Sequence, residues 1–287
     1  MTESTDTTQE ELVESVKQLE EEDIFKRPPA RETWRFLDGE RELSPSMVLV
    51  FLVFLGGVAA SVWHIYTAAA GYAQFFVTRP IHVLLIVGLG LFLYDWNGET
   101  RSFESLSWRL GVDVLLYAGL AAATIYPTLE PTAFAQRYQF ASYTTIDLLL
   151  GVVITAIIVE MVLRVLGYAF LVFILVFVAY TLYGTNLPQP FGHAAVGPAE
   201  FVTFEYMSIH GIWGVPIGVM AKYVMLFILF GAFLDSTKGG LLIQRFGNKV
   251  TGGSAGGPAK VAVVTSSLMG MISGSALANV TTTGSFT

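Results

Sequence analysis

Four residues near the end of the chain have the side chains and spacing of an ion site within an otherwise apolar stretch. Ser273, Ser275 and Asn279 carry hydroxyl or amide oxygens, and Gly274 stands between the two serines. Where a helix is broken at membrane depth, such oxygens and the free carbonyls of a helix end can coordinate Na⁺, while a helix N-terminus attracts a carboxylate. The pattern therefore predicts a site for a small cation and an organic anion.

The same residues allow a purely structural interpretation. Small residues at close spacing let two membrane helices pack tightly without binding any ligand. The spacing around Gly274 does not decide between the two interpretations, and both stay open.

The elements around these residues indicate a re-entrant hairpin over about residues 257–287. Gly256, Gly257 and Pro258 end any helix that arrives from upstream. The apolar run that follows, Val261–Met271, has about 11 residues, too few to span a hydrocarbon core of about 30 Å. A helix, a small polar break and a second helix indicate non-helical backbone that protein or a water-filled cavity must satisfy.

The composition places the whole chain in a membrane. Hydrophobic residues make up 53% and charged residues 14% of its 287 positions, whereas about a quarter of the residues in a soluble domain are charged. Cysteine is absent, which excludes disulfides and thiolate metal sites, and the 4 histidines show no metal-ligand spacing. We therefore predict an all-α, polytopic membrane protein without a metal site.

Six apolar runs have the length expected of membrane-spanning helices. We place helix starts at Pro45 and Pro80 and a helix end before Pro127, because proline favours the first turn of a helix and disrupts its interior. The predicted spans are 47–70, 81–96, 110–126, 145–163, 167–183 and 215–234. A short helix on the membrane surface is predicted at 199–210, and a second surface segment at 241–249.

Charge is distributed unevenly along the chain. Residues 1–46 hold 13 Asp/Glu and 6 Lys/Arg, the composition of a solvated acidic tail, and contain no signal peptide. With this tail inside the cell, 13 Lys/Arg lie on the inner side of the spans and 2 on the outer side. Because basic residues favour the cytoplasmic side, we predict a multi-pass protein of the cell membrane with a cytoplasmic N-terminus.

Charged residues inside the predicted spans need partners, since an unpaired charge in a membrane is costly. Glu160 and Arg164 have the spacing of an intrahelical ion pair, with a proton relay as the alternative. Asp113 and Asp147 are placed near helix starts, where a carboxylate complements the positive helix end. Lys222 lies within the sixth span, where we expect it to face a partner or to extend towards the interface.

The histidines and tryptophans of the spans are given structural roles. His64 and His82 are expected in the core or at a helix interface. Tryptophan is typical of the membrane–water interface, and the predicted anchors are Trp63, Trp96, Trp108 and Trp213.

Several function classes find no support in the sequence. The glycine-rich stretch 252–258 lacks the Gly-Lys-Ser/Thr end of a phosphate loop, and no predicted strand precedes it. Paired carboxylates, a Ser/His/Asp set and a basic-aromatic stripe are not evident either. The sequence therefore favours neither an enzyme nor a nucleic-acid-binding protein.

The second half of the chain resembles the fused permease subunit of tripartite ATP-independent periplasmic (TRAP) transporters. The resemblance is carried by residues 211–220 (GIWGVPIGVM), 226–234 (LFILFGAFL) and 256–287 (GGPAKVAVVTSSLMGMISGSALANVTTTGSFT). Upstream it includes residues 147–151 (DLLLG), Glu160 and residues 164–167 (RVLG). Residues 1–144 agree with the family only in helix number.

This resemblance implies a division of the chain and a site. After the acidic cytoplasmic tail at 1–46, it implies a four-helix part like the small subunit at 47–163 and the start of the large permease part at 164–287. The site residues that it implies, at the tip and second arm of the first hairpin of the family, are Ser273, Gly274, Ser275 and Asn279. The residues implied as the entry hinge of that hairpin are Gly256 and Gly257.

The resemblance also implies a function. In that family the large part moves substrate by an elevator motion, driven by a Na⁺ gradient and supplied by an extracytoplasmic substrate-binding protein. We therefore expect a permease for organic acids, with Na⁺ as coupling ion and no other cofactor. Because the large part of the family continues into a second, inverted hairpin, we expect this chain to be a fragment. The alternative is a non-transporting membrane scaffold or assembly subunit.

Overall fold

The fold is described by a computed structural model for residues 45–101, 108–237, 239–251, 253 and 255–272. Helices make up 81% of the structure, and the described residues contain no β-strand. The predicted all-α fold is therefore confirmed. The acidic tail and the part of the predicted hairpin after Ile272 lie outside the described residues.

Eleven α-helices are described, and we number them in chain order. They are α1 (Pro45–Ala70), α2 (Phe75–Leu93), α3 (Trp108–Leu129), α4 (Pro131–Gln139), α5 (Thr145–Leu166), α6 (Tyr168–Tyr183), α7 (Pro198–Met207), α8 (Val215–Val219), α9 (Met225–Ser236), α10 (Gly239–Thr251) and α11 (Gly257–Ile272). A π-helical segment, Met220–Val224, joins α8 to α9. The short helix α4 was not predicted.

Six helical runs are long and apolar enough to cross a membrane, which confirms the predicted number of spans. They are Val48–Ala70, Phe75–Leu93, Trp108–Leu129, Thr145–Leu166, Tyr168–Asn186 and Val215–Leu234. The fourth and fifth are joined by the single residue Gly167, whose φ of +78° suits glycine, which lacks a Cβ.

Two predicted helix boundaries at prolines are wrong, because both prolines lie inside helices. α2 begins at Phe75, before Pro80, and α3 continues past Pro127 to Leu129. A proline inside a helix removes one hydrogen bond, to the carbonyl four residues earlier. For Pro127 that carbonyl belongs to Ala123, and it instead accepts a hydrogen bond from the buried Tyr206 hydroxyl over 2.8 Å. Tertiary structure therefore replaces the lost helical bond.

The described residues divide into two compact units, one that ends at Lys222 and one that begins at Tyr223. In the first unit, α2, α3 and α5 pack together, and α7 packs on α5. The apolar core includes Phe76, Leu91, Leu120, Phe134, Ile154, Tyr206 and Trp213. A helix near 199–210 is confirmed as α7, and one of its faces belongs to this core. In contrast, α6 has no fully buried residue, although it packs against α5 and α7.

The second unit contains α9, α10 and α11, of which α10 and α11 pack closely together. The predicted second surface segment at 241–249 lies within α10. The predicted division of the chain at residues 46 and 163 stays a prediction.

Candidate functional site

The predicted ion and substrate residues, Ser273, Gly274, Ser275 and Asn279, lie outside the described residues. The predicted hinge is described. Gly256 has a φ of +70°, a conformation that side-chain-bearing residues rarely adopt, and Gly257 is the first residue of α11. The chain therefore reverses between α10 and α11 at a position that requires glycine, and α11 leads towards Ser273.

The contact between α10 and α11 is close at Gly247. A Cβ atom placed on this glycine would lie 2.5 Å from the Thr265 hydroxyl oxygen, so a larger residue would push the helices apart. Thr265 is fully buried, and its hydroxyl has no hydrogen-bond partner within the described part of the chain. By contrast, the exposed Ser267 hydroxyl donates to the Val263 carbonyl in its own helix over 2.8 Å.

A buried ion cluster joins α2, α3 and α5 at one end of the first unit. The Asp113 side chain is 0% exposed and accepts from Arg164 over 2.8 Å, from Trp96 over 3.1 Å, and from Arg101. Arg164 also donates to Glu160 over 2.9 Å, so the predicted intrahelical pair is confirmed. The predicted role of Asp113 as a helix-start carboxylate is wrong, because it lies beyond the first turn of α3 and neutralises two arginines.

A second ion cluster lies at the start of α5. Arg137 donates two hydrogen bonds to Asp147, over 3.1 and 3.2 Å, and one to the Tyr126 hydroxyl. Asp147 and Thr144 form a capping box, which confirms the predicted position of Asp147 at a helix start. Burial lowers the pKa of Arg137, but the hydrogen bond and charge of Asp147 outweigh burial and raise that pKa overall. These contacts of Asp147 stabilise the N-terminus of α5, the fourth span.

Histidines and tryptophans of the spans are mostly structural. His64 and His82 are buried, and their ring nitrogens lie 2.8 Å apart, which confirms their predicted place at a helix interface. Trp213 is wrongly predicted as an interfacial anchor, because its side chain is fully buried and donates to the Tyr206 carbonyl. Trp108 is 73% exposed, as an anchor would be.

Lys222, within the sixth span, lies beside an aromatic ring. Its ammonium lies 4.8 Å from the centroid of the Tyr72 ring, and the Tyr72 hydroxyl donates to the Lys222 carbonyl over 2.9 Å. Arg79, which precedes the predicted second span at 81–96, lies inside α2 and lines a cavity together with Lys222. Because the helix start was predicted at Pro80, Arg79 was left out of the second span. The apolar run that begins four residues earlier, at Phe75, could have indicated that Arg79 lies inside the helix.

Comparisons with known proteins agree with the resemblance on which the site rests. Residues 148–287 match the family model of the tripartite ATP-independent periplasmic transporter, DctM component. No curated protein and no solved structure matched the chain. The matched segment begins within α5, continues past α11 to residue 287, and includes all the predicted site residues. Within this multi-pass membrane protein, residues 148–287 are therefore similar to the DctM component of TRAP transporters.

Proposed function

We propose that the intact protein is the permease of a secondary active, Na⁺-coupled transporter that imports organic acids. The observation that carries this proposal is the helical pair α10–α11, which turns at the positive-φ residue Gly256 and precedes the Ser273–Asn279 motif within the matched segment. Hydroxyl and amide oxygens at a helix break suit Na⁺, and a helix N-terminus suits a carboxylate. Ser273, Gly274, Ser275 and Asn279 are the proposed site residues, and Gly256 and Gly257 the proposed hinge.

The partner of such a permease is an extracytoplasmic substrate-binding protein, since the family belongs to a tripartite periplasmic system. The proposed orientation has the N-terminus in the cytoplasm, supported by the 13 to 2 distribution of Lys/Arg about the spans predicted from the sequence. The predicted hairpin at about 257–287, which begins with α11, then enters the membrane from the cytoplasmic side. Na⁺ is the proposed coupling ion.

Uptake by proteoliposomes that contain the full-length protein and its binding protein tests this proposal. The Ser275→Ala and Asn279→Ala variants are expected to abolish Na⁺-dependent uptake of the organic acid. Ser267→Ala is the matched control, because this serine is exposed and its hydroxyl bonds within its own helix. Wild-type uptake in both site variants, at normal expression, would exclude the assigned residues.

A non-transporting scaffold is the second candidate function. The close approach of Gly247 to Thr265 favours it, because small residues that bring two helices together can serve packing alone, without binding a ligand. A scaffold would show no uptake with any binding protein. It would instead copurify with one partner at a fixed stoichiometry.

A further inference from the structure

A cavity of about 310 Å³ lies inside the first unit, between the start of α2 and the helical run from α8 into the π segment. Two cationic side chains, Arg79 and Lys222, line it, together with the polar residues Gln74 and Thr78. No carboxylate is among the lining residues. The cavity therefore concentrates positive charge, in contrast to the Asp113 cluster, where carboxylates face the arginines.

Arg79 is held in place but retains an unused donor. One terminal nitrogen of its guanidinium donates to the Trp213 carbonyl, whereas the Nε atom is buried and has no hydrogen-bond partner within the described chain. A Cβ atom at Gly218 would lie 2.8–3.0 Å from the guanidinium atoms, so the absence of a side chain there makes room for Arg79. A buried, unpaired donor of a charged group is costly unless a ligand accepts from it.

Lys222 is positioned on the other wall of the cavity. The Tyr72 ring and the hydrogen bond from the Tyr72 hydroxyl to the Lys222 carbonyl fix this residue within the π segment. Within the described residues, Lys222 forms no ion pair with a carboxylate. An ammonium group within a membrane span requires compensation by negative charge, which the protein walls of this cavity do not supply.

The start of α2 adds a third positive contribution. Gln74 and Phe75, at the N-terminus of this 19-residue helix, line the cavity. The first N–H groups of a helix have no partner within it, and the helix dipole adds partial positive charge at this end. Two side-chain cations and a helix N-terminus therefore meet at one cavity.

We propose that this cavity binds a phosphate group, held between the Arg79 guanidinium and the Lys222 ammonium. A phosphate offers several acceptor oxygens, which suits an arginine fork on one wall and a lysine point charge on the other. The cavity is lined by residues between the spans Val48–Ala70 and Phe75–Leu93 and by the first turns of Phe75–Leu93, so a phosphate there would lie near the end of the spans, where lipid headgroups begin. The phosphate can come from a phospholipid headgroup or from free phosphate in solution.

The test uses the purified, delipidated full chain in a maltoside detergent, titrated with short-chain phosphatidylglycerol, with inorganic phosphate, and with diacylglycerol of the same chain length. We expect a saturable rise in melting temperature with phosphatidylglycerol and none with diacylglycerol. In Lys222→Met the affinity should fall about tenfold or more, as expected for the loss of a charge-assisted contact. This variant keeps the backbone bond to Tyr72 and leaves the Arg79–Trp213 contact in place, so it should fold.

A second variant and a matched control sharpen the result. Arg79→Gln should weaken binding similarly, whereas Arg109→Gln, which removes a cation that is outside the cavity and paired with Asp95, should bind as the wild type does. Displacement of the lipid by inorganic phosphate at similar concentration would assign the site to free phosphate, and lipid binding without displacement would assign it to a headgroup. Absence of a saturable shift with both phosphate sources, or unchanged affinity in both cavity variants, would overturn the proposal.

Discussion

The Tyr206 hydroxyl donates to the Ala123 carbonyl over 2.8 Å, and this carbonyl is the one that Pro127 leaves without its helical partner. The two residues are 83 positions apart, and Tyr206 is fully buried. Burial, with the negative charge of Asp147 adding to it, raises the pKa of Tyr206, so the hydroxyl keeps its proton. One tyrosine on α7 thus allows α3 to extend through a proline.

Removal of this hydroxyl should destabilise the protein in a way that depends on Pro127. Tyr206→Phe leaves the buried Ala123 carbonyl unsatisfied, and we expect a loss of about 1–3 kcal/mol in the free energy of unfolding. Pro127→Ala restores a helical N–H that can donate to the same carbonyl, so the loss should be smaller in that background. Denaturant titration of the four proteins in detergent measures this coupling. Equal losses in both backgrounds would contradict the explanation.

The buried Asp113 carboxylate should be the most sensitive charge in the first unit. Asp113→Asn leaves Arg101 and Arg164 without their shared counter-charge, and we expect a loss of about 3–5 kcal/mol in unfolding free energy. Glu160→Gln removes the other carboxylate that contacts Arg164, but the Glu160 side chain is 32% exposed, so its loss should stay below about 1 kcal/mol. Similar losses of unfolding free energy in both variants would show that Asp113 is not the carboxylate on which the stability of this ion cluster chiefly depends.

Local features of this fold could be predicted from the sequence, whereas contacts between distant residues could not. Apolar length was sufficient for six spans, and helical spacing for the pairing of Glu160 with Arg164. The predicted helix start at Pro80 and helix end before Pro127 failed because both prolines lie inside helices, and for Pro127 the Tyr206 hydroxyl replaces the lost helical bond.

The same limit applies to the candidate sites. The sequence predicts that Gly256, Gly257 and Pro258 end the preceding helix, and the positive φ observed at Gly256 agrees with a turn at this position. The cavity between Arg79 and Lys222 joins residues about 140 positions apart in sequence, and their proximity depends on how α2 packs against α8. No local sequence pattern indicates that Arg79 and Lys222 lie close together.

The stability of the first unit should depend on pH through Glu205 on α7. Burial raises the pKa of this carboxyl above its usual range, so the folded protein keeps the proton to a higher pH than the unfolded chain does. Stability should therefore fall as pH rises from the unfolded pKa through the folded pKa. Glu205→Gln should reduce this slope when melting temperatures are compared between about pH 4 and pH 7. An unchanged slope would assign the pH dependence to other groups.

The proposed orientation can be tested with introduced cysteines, because the chain has none of its own. Glu99 lies between α2 and α3, and Ser142 between α4 and α5, and both are exposed. A membrane-impermeant maleimide should label Ser142→Cys in intact cells, and Glu99→Cys only after permeabilisation. The reverse pattern would place the N-terminus outside the cell.

The turn at Gly256 should tolerate side chains poorly even though space is available. No atom lies within 4 Å of a Cβ placed there, so the cost of substitution comes from the φ of +70° rather than from a clash. Gly256→Val should lower the unfolding free energy of the α10–α11 pair by about 1–3 kcal/mol, and Gly256→Asn by less, because asparagine tolerates positive φ.

Gly253→Ala is the matched control, since Gly253 also has open space but no positive φ. Hydrogen exchange of the first turn of α11, where the Lys260 N–H donates to the Gly256 carbonyl over 3.1 Å, should accelerate in Gly256→Val and not in Gly253→Ala. Equal exchange in the two variants would mean that the conformation of Gly256 does not hold the hairpin entry.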